Sequence, residues 1–126
     1  INDYEIATVS MKSKNGVLCL INNSRHCSFG YDQRVELFGS KGMIISDNKY
    51  ENNSKLFTSN NTSVKNNFMH FFIDRYNEAY KIQLDDLIKL HKKNSKPRSS
   101  FFDGYEALKL ANAALSSLNK KRTIYL

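Results

Sequence analysis

The chain has 126 residues, with 19 Lys plus Arg against 12 Asp plus Glu, a formal net charge of +7 at pH 7. That length suits one domain with room for a hydrophobic core and is short for a two-domain cofactor enzyme. Hydrophobic content of 40%, one proline and five glycines exclude a disordered or collagenous chain, and no run approaches the roughly 18 apolar residues of a membrane-spanning helix.

The opening Ile1-Asn2-Asp3-Tyr4-Glu5 has neither the basic start nor the apolar stretch of a signal peptide and carries no initiator Met, so it reads as a cut inside a longer chain. Cys19 and Cys27 lack Cys-x-x-Cys spacing, and Cys19, inside an apolar run, is expected as a buried reduced thiol. Sequons at Asn22, Asn52 and Asn60 are chance matches in an Asn-rich chain. The expected setting is a reducing cytoplasm, without glycans.

Residues 4–12 alternate loosely, with Ala7, Val9 and Met11 on one side, as a strand does. Asn15-Gly16 is a hairpin signal, since both residues tolerate positive φ, and the return strand runs from Val17 to about Ser24. Its run Val17-Leu18-Cys19-Leu20-Ile21 does not alternate, which predicts a strand covered on both faces. From Tyr31 to Phe38 the alternation is regular, and Gly39-Ser40-Lys41-Gly42 turns into a strand at Met43-Ile44-Ile45. The Asn-rich stretch from Asp47 to Asn67 has weak strand signals at Leu56-Phe57-Thr58 and Val64, consistent with edge strands and loops.

Phe72, Tyr76, Tyr80, Leu84, Leu87, Ile88 and His91 recur every three or four residues, predicting a helix over 73–93 with one apolar, aromatic face. Lys89, Lys92 and Lys93 sit near its C-terminal end, where cations meet the negative end of the helix dipole, and Pro97 stops it. Ser99 or Ser100 caps a second helix through about Asn119, with Leu108, Ala111, Leu115 and Leu118 as its buried stripe. Thr123-Ile124-Tyr125-Leu126 reads as a last strand. The order of strands, then helices, predicts an α+β fold: an open, mostly antiparallel sheet with helices packed on one face.

Most chemical motifs are missing. No Gly-x-Gly-x-x-Gly opens a helix after a strand to meet a pyrophosphate, and no Gly-x-Ser-x-Gly elbow is present. The Gly39–Gly42 spacing matches the clamp of some nucleic-acid modules, but flanking strands make it a hairpin turn. His26, His70 and His91 have no ligand-like spacing, so no metal site is expected. Asp85 and Asp86 diverge by about 100° on their helix and are poor partners for two-carboxylate chemistry.

One segment carries a specific pattern: Asn23-Ser24-Arg25 followed by Gly30-Tyr31-Asp32-Gln33-Arg34-Val35-Glu36-Leu37-Phe38-Gly39-Ser40-Lys41-Gly42-Met43. It resembles the corresponding segment of the myo-inositol 2-dehydrogenases, within the glucose-fructose oxidoreductase (Gfo/Idh/MocA) family. The likeness continues in Phe71-Phe72-Ile73-Asp74-Arg75-Tyr76, in Tyr80 and in Asp103-Gly104-Tyr105-Glu106-Ala107-Leu108.

The resemblance implies that residues 1–126 are a single C-terminal domain, which lines the substrate site and forms a homo-oligomer through its sheet. The family's N-terminal Rossmann domain, which binds most of the NAD or NADP, is absent from this chain. The family's catalytic Lys (in Glu-Lys-Pro) and its Asp and His (in Asp-x-x-x-His) lie upstream and are not in this sequence. No catalytic residue is therefore assigned here, and the chain alone is expected to be inactive.

A cyclic polyol offers hydroxyls to donors and acceptors and an apolar ring face to aromatics. Tyr31 is the leading substrate-binding candidate, through a hydrogen bond from its hydroxyl, with a satisfied strand tyrosine as the plain alternative. Tyr76 and Tyr80, one turn apart, are further candidates and would equally serve as core; Arg25 could bind a hydroxyl or a partner subunit. Phe72 departs from the larger aromatic that some inositol dehydrogenases carry, which leaves the substrate open. The alternatives are a related sugar or polyol dehydrogenase domain, or a non-enzymatic basic module binding nucleic acid or an acidic partner through Lys89, Lys92, Lys93, Lys96, Arg98 and Lys120-Lys121-Arg122. Against the latter, these charges fall at helix C-termini without interleaved aromatics.

Overall fold

The structure, a computed structural model, describes residues 3–93 and 95–126. Ile1 and Asn2, part of the opening read as an internal cut, lie outside the described residues. Among the described residues six strands precede two helices: β1 (Ile6–Lys12), β2 (Leu18–Ser24), β3 (Val35–Gly39), β4 (Gly42–Ser46), β5 (Lys55–Leu56), β6 (Val64–Lys65), α1 (Phe72–Lys93) and α2 (Phe101–Lys120). The α+β class and the antiparallel pairing are as predicted. The strands pair as three two-stranded ladders, β1-β2, β3-β4 and β5-β6.

The described residues fall into two compact units. One is built on Asn23–Ile82 with the residues up to Ile6, the other on Ala7–Asn22 with Gln83–Leu126.

In the first unit, β3 and β4 pair with Leu37 opposite Ile44 and Phe38 opposite Met43, closing on Gly39 opposite Gly42. Gly42 has φ +142°, a conformation that L side chains rarely adopt. β3 starts at Val35, not at Tyr31, because side-chain bonds claim the backbone and carboxylate just before it. Gln33 N donates to Asn48 Oδ1 at 2.8 Å, and Asp32 is held by Arg34.

The Asn-rich stretch is a long hairpin. Tyr50 bridges Phe68, Glu51 N donates to Asn67 O, and Lys55 then pairs with Lys65. Between these pairs, residues 52–54 face residue 66 alone, which makes a bulge. Asn52 Oδ1 closes it, accepting from Ser54 N at 2.9 Å and Asn66 Nδ2 at 2.6 Å. The returning arm ends at Met69, whose N donates to Lys49 O and whose carbonyl accepts from Tyr31 N.

In the second unit, the β1-β2 hairpin turns through Gly16 at φ +85°, with Gly16 N bonded to Ser13 O. α2 opens on a capping box: Ser100 Oγ accepts from Asp103 N, and Asp103 Oδ2 accepts from Ser100 N at 2.6 Å. It closes on Lys121 in the left-handed conformation (φ 51°), with Arg122 N donating to Ser117 O. The final residues 123–126 are not a strand as predicted. Ile124 and Leu126 instead border a shallow groove with Tyr105, Leu108 and Asn112 of α2, so the tail lies along the helix.

The main departure from expectation is burial. Among the described residues no apolar side chain is buried. β2 is exposed along its whole length, Cys19 included, instead of covered on both faces. The stripe of α2 is open too, with Leu108, Leu115 and Leu118 exposed, as are Leu84, Leu87, Ile88 and His91 of α1. An apolar pattern specifies that a face is to be covered, not that the same chain covers it.

Candidate functional site

Tyr31 lies in the loop between β2 and β3, and two features fix it there. Gly30 has φ +115°, with Phe68 O only 2.8 Å from where a Cβ would sit. Tyr31 N then donates to Met69 O at 2.9 Å. The loop therefore lies flat against the end of the 49–69 hairpin, and Phe29 meets Phe68 edge-on at 5.7 Å between ring centroids.

The start of α1 supplies the other rings. Tyr31 meets Tyr76 edge-on, with centroids 5.8 Å apart and planes at 85°, and Tyr76 meets Tyr80 at 6.3 Å and 66°. Both pairs have the geometry that the ring quadrupole favours. Burial, and then the neighbouring Tyr76 hydroxyl, push the Tyr31 hydroxyl above the ordinary tyrosine value. It therefore keeps its proton through mildly alkaline pH and remains a donor. The structure thus gathers Tyr31, Tyr76 and Tyr80 into one row.

Arg25 is employed elsewhere: it pairs with Asp3 at 2.8 Å, with both side chains about half exposed. Such an exposed pair is worth little, about 0–1 kcal/mol.

Among the described residues, two that were not singled out prove to be the buried ones, Asn48 at 7% exposure and Arg75 at 8%. Arg75 precedes Tyr76 by one position, so its side chain leaves the helix about 100° from that ring. Its Nη2 donates to the carbonyls of Gln33 and Asp47, both at 3.2 Å, while Nε and Nη1 are buried without a partner. Its guanidinium carbon lies 5.7 Å from the Tyr76 ring centroid. Asn48 bonds Gln33 N through Oδ1 and Asp32 through Nδ2. Asp32 also takes a forked bond from Arg34, at 2.8 and 2.9 Å, and these donors hold its carboxyl below the usual range, Arg34 first. The available signal was Arg75 itself, a cation within the recognised Phe71–Tyr76 motif; nothing local marks Asn48 among so many asparagines.

The row offers phenol hydroxyls and ring faces, which suit a hydroxylated ring, but no acid–base pair. A groove of about 520 Å³ on this unit lies instead along Phe29, Arg34, Tyr50, Lys65 and Phe68. Among the described residues, no cluster of three or more His, Cys, Asp or Glu could hold a metal ion. Nor is any helix long and apolar enough to cross a membrane. The sequence carries no Gly-x-Gly-x-x-Gly strand-to-helix turn of the kind that cradles a dinucleotide pyrophosphate.

Residues 2–126 match the C-terminal alpha/beta domain of an oxidoreductase family, and the chain belongs to that Gfo/Idh/MocA family. It is 40% identical over 124 residues to myo-inositol 2-dehydrogenase of Thermotoga maritima, covering 98% of this chain and 37% of that protein. It is 34% identical over 122 residues to inositol 2-dehydrogenase of Rhizobium meliloti, again covering 37% of the relative. A crystal structure of a myo-inositol dehydrogenase from Corynebacterium glutamicum superposes with a TM-score of 0.92 at 40% identity, over 99% of this chain and 38% of that one. The chain thus spans little more than a third of the proteins it resembles. Family membership favours an oxidoreductase domain over a basic nucleic-acid module, and Lys89 and Arg98 of the suspected basic patch both lie within ion-pair distance of Asp86.

Proposed function

We propose that this chain is the C-terminal domain of an NAD(P)-dependent inositol 2-dehydrogenase, which lines the polyol site with Tyr31, Tyr76 and Tyr80 and assembles into a homo-oligomer through its strands. The observation that carries this reading is the match along 98% of the chain to a relative named myo-inositol 2-dehydrogenase. The tyrosine row supports it, because phenols donate to and accept from ring hydroxyls while their faces cover the apolar side of a cyclitol. The strands support the assembly. Phe38 at 88% exposure, Leu18 at 77% and Ile44 at 71% are side chains that water disfavours.

Oxidation of a ring carbinol to a ketone needs a hydride acceptor, which the nicotinamide supplies when bound by an upstream domain. This chain contributes binding and orientation. Arg25, half exposed beside Asp3, is a further candidate for a polyol hydroxyl or a partner subunit.

The test is kinetic. In a polypeptide carrying this chain behind its nucleotide domain, NADH formation from myo-inositol is expected, and Tyr31→Phe should raise KM roughly tenfold by removing one hydroxyl. The 126-residue chain alone, mixed with NAD and inositol, should show no turnover. Activity of the isolated chain, or an unaltered KM in Tyr31→Phe, overturns the assignment.

A further inference from the structure

We infer that Arg75 and Asn48 form a clamp that positions Tyr31, making them specificity-determining residues that themselves stay out of contact with substrate. The argument starts from burial. Among the described residues, where no apolar side chain is buried, the two buried residues are polar, and both hold the same three-residue segment.

Asn48 takes Gln33 N at 2.8 Å and donates to Asp32. Arg75 Nη2 donates to the carbonyls of both Gln33 and Asp47, tying the loop to the residue preceding Asn48. Met69 O holds Tyr31 N, so residues 31, 32 and 33 are each anchored, from three separate parts of the chain. Burying a guanidinium is costly unless it is hydrogen-bonded, and Nη2 alone supplies the bonds. Here they link the loop bearing Tyr31 to the helix bearing Tyr76, which sets the edge-on contact between the two rings. A lysine ammonium has donors enough for both carbonyls but sits on a shorter side chain than Nη2, so it is an incomplete substitute.

The inference rests on reading Tyr31 as a polyol contact, and the experiment separates the two. In the intact enzyme, Arg75→Met should raise the polyol KM roughly tenfold with kcat within about twofold, and Arg75→Lys should recover part of the loss. In parallel, amide hydrogen exchange is read at residues 31 and 33 and along α2. Arg75→Met and Asn48→Ala should each speed exchange at 31 and 33 roughly tenfold and leave α2 unchanged.

Should Arg75→Met fail to fold, Asn48→Ala decides the matter by the same readouts. Unaltered exchange at 31 and 33, equal acceleration along α2, or faster exchange with an unaltered KM overturns the clamp as a specificity device. If the intact protein oxidises no polyol, the parent reading falls, while exchange at 31 and 33 still decides whether the clamp holds the loop.

Discussion

Gly30→Ala tests the geometry that presents Tyr31. At φ +115° an L residue is strained by about 1–3 kcal/mol before any contact is considered. The new Cβ would also stand 2.8 Å from Phe68 O, 3.0 Å from Phe68 Cβ and 3.2 Å from Met69 O, where ordinary contact begins at 3.4 Å. Two of these three are backbone atoms that no rotamer change can move. The loop must retreat by about 0.6 Å, which stretches the 2.9 Å bond from Tyr31 N to Met69 O towards its limit and loses about 1 kcal/mol.

The expected loss is therefore about 2–4 kcal/mol. Gly16→Ala is the control: φ is +85° but nothing lies within 4 Å of its Cβ, so only the conformational cost, about 1 kcal/mol, applies. Urea unfolding of both variants at one fixed protein concentration measures the difference, since self-association shifts midpoints. If Gly30→Ala loses no more than Gly16→Ala, the close approach of the two backbones is not what holds the Tyr31 loop.

Ser100→Ala removes one half of the α2 capping box and should cost about 1 kcal/mol in the same assay, with helical circular dichroism falling at partial denaturation; an unchanged midpoint would show that the cap is idle. The Asp32 carboxyl is held below its ordinary value by Arg34 and then Asn48, so the unfolded chain takes up this proton first as pH falls. Its contribution is complete above the ordinary carboxylate range, near pH ~3.9, and fades as pH drops towards the lower folded value. Asp32→Asn should flatten that part of the stability profile, and an equally steep acid limb in the variant would contradict the assignment. Phe38→Lys puts a charge on a side chain of β3 that is 88% exposed and should lower the mass seen by light scattering; an unaltered mass places the contact elsewhere.

Local structure was largely legible in the sequence because its signals are local. Gly16 and Gly42 turn the hairpins, Ser100 caps α2, and the three- and four-residue spacing from Phe72 to His91 marks α1. The tyrosine row was legible in part: Tyr76 and Tyr80 share a helical face by spacing alone, and Tyr31 stood out only through its motif. The end of the chain was misread, since the residues 123–126 have strand-forming side chains but lie along α2, and propensity does not say which surface a segment meets.

What the sequence determined unaided is the α+β order, the two helices, the hairpin turns and the family. What only the tertiary structure decided is which side chains are buried. The apolar runs of β2 and α2 remain open, while Asn48 and Arg75, 27 positions apart and polar, are enclosed. Burial is a sum over neighbours brought in from distant parts of the chain, and a local pattern records a preference for cover without saying what provides it.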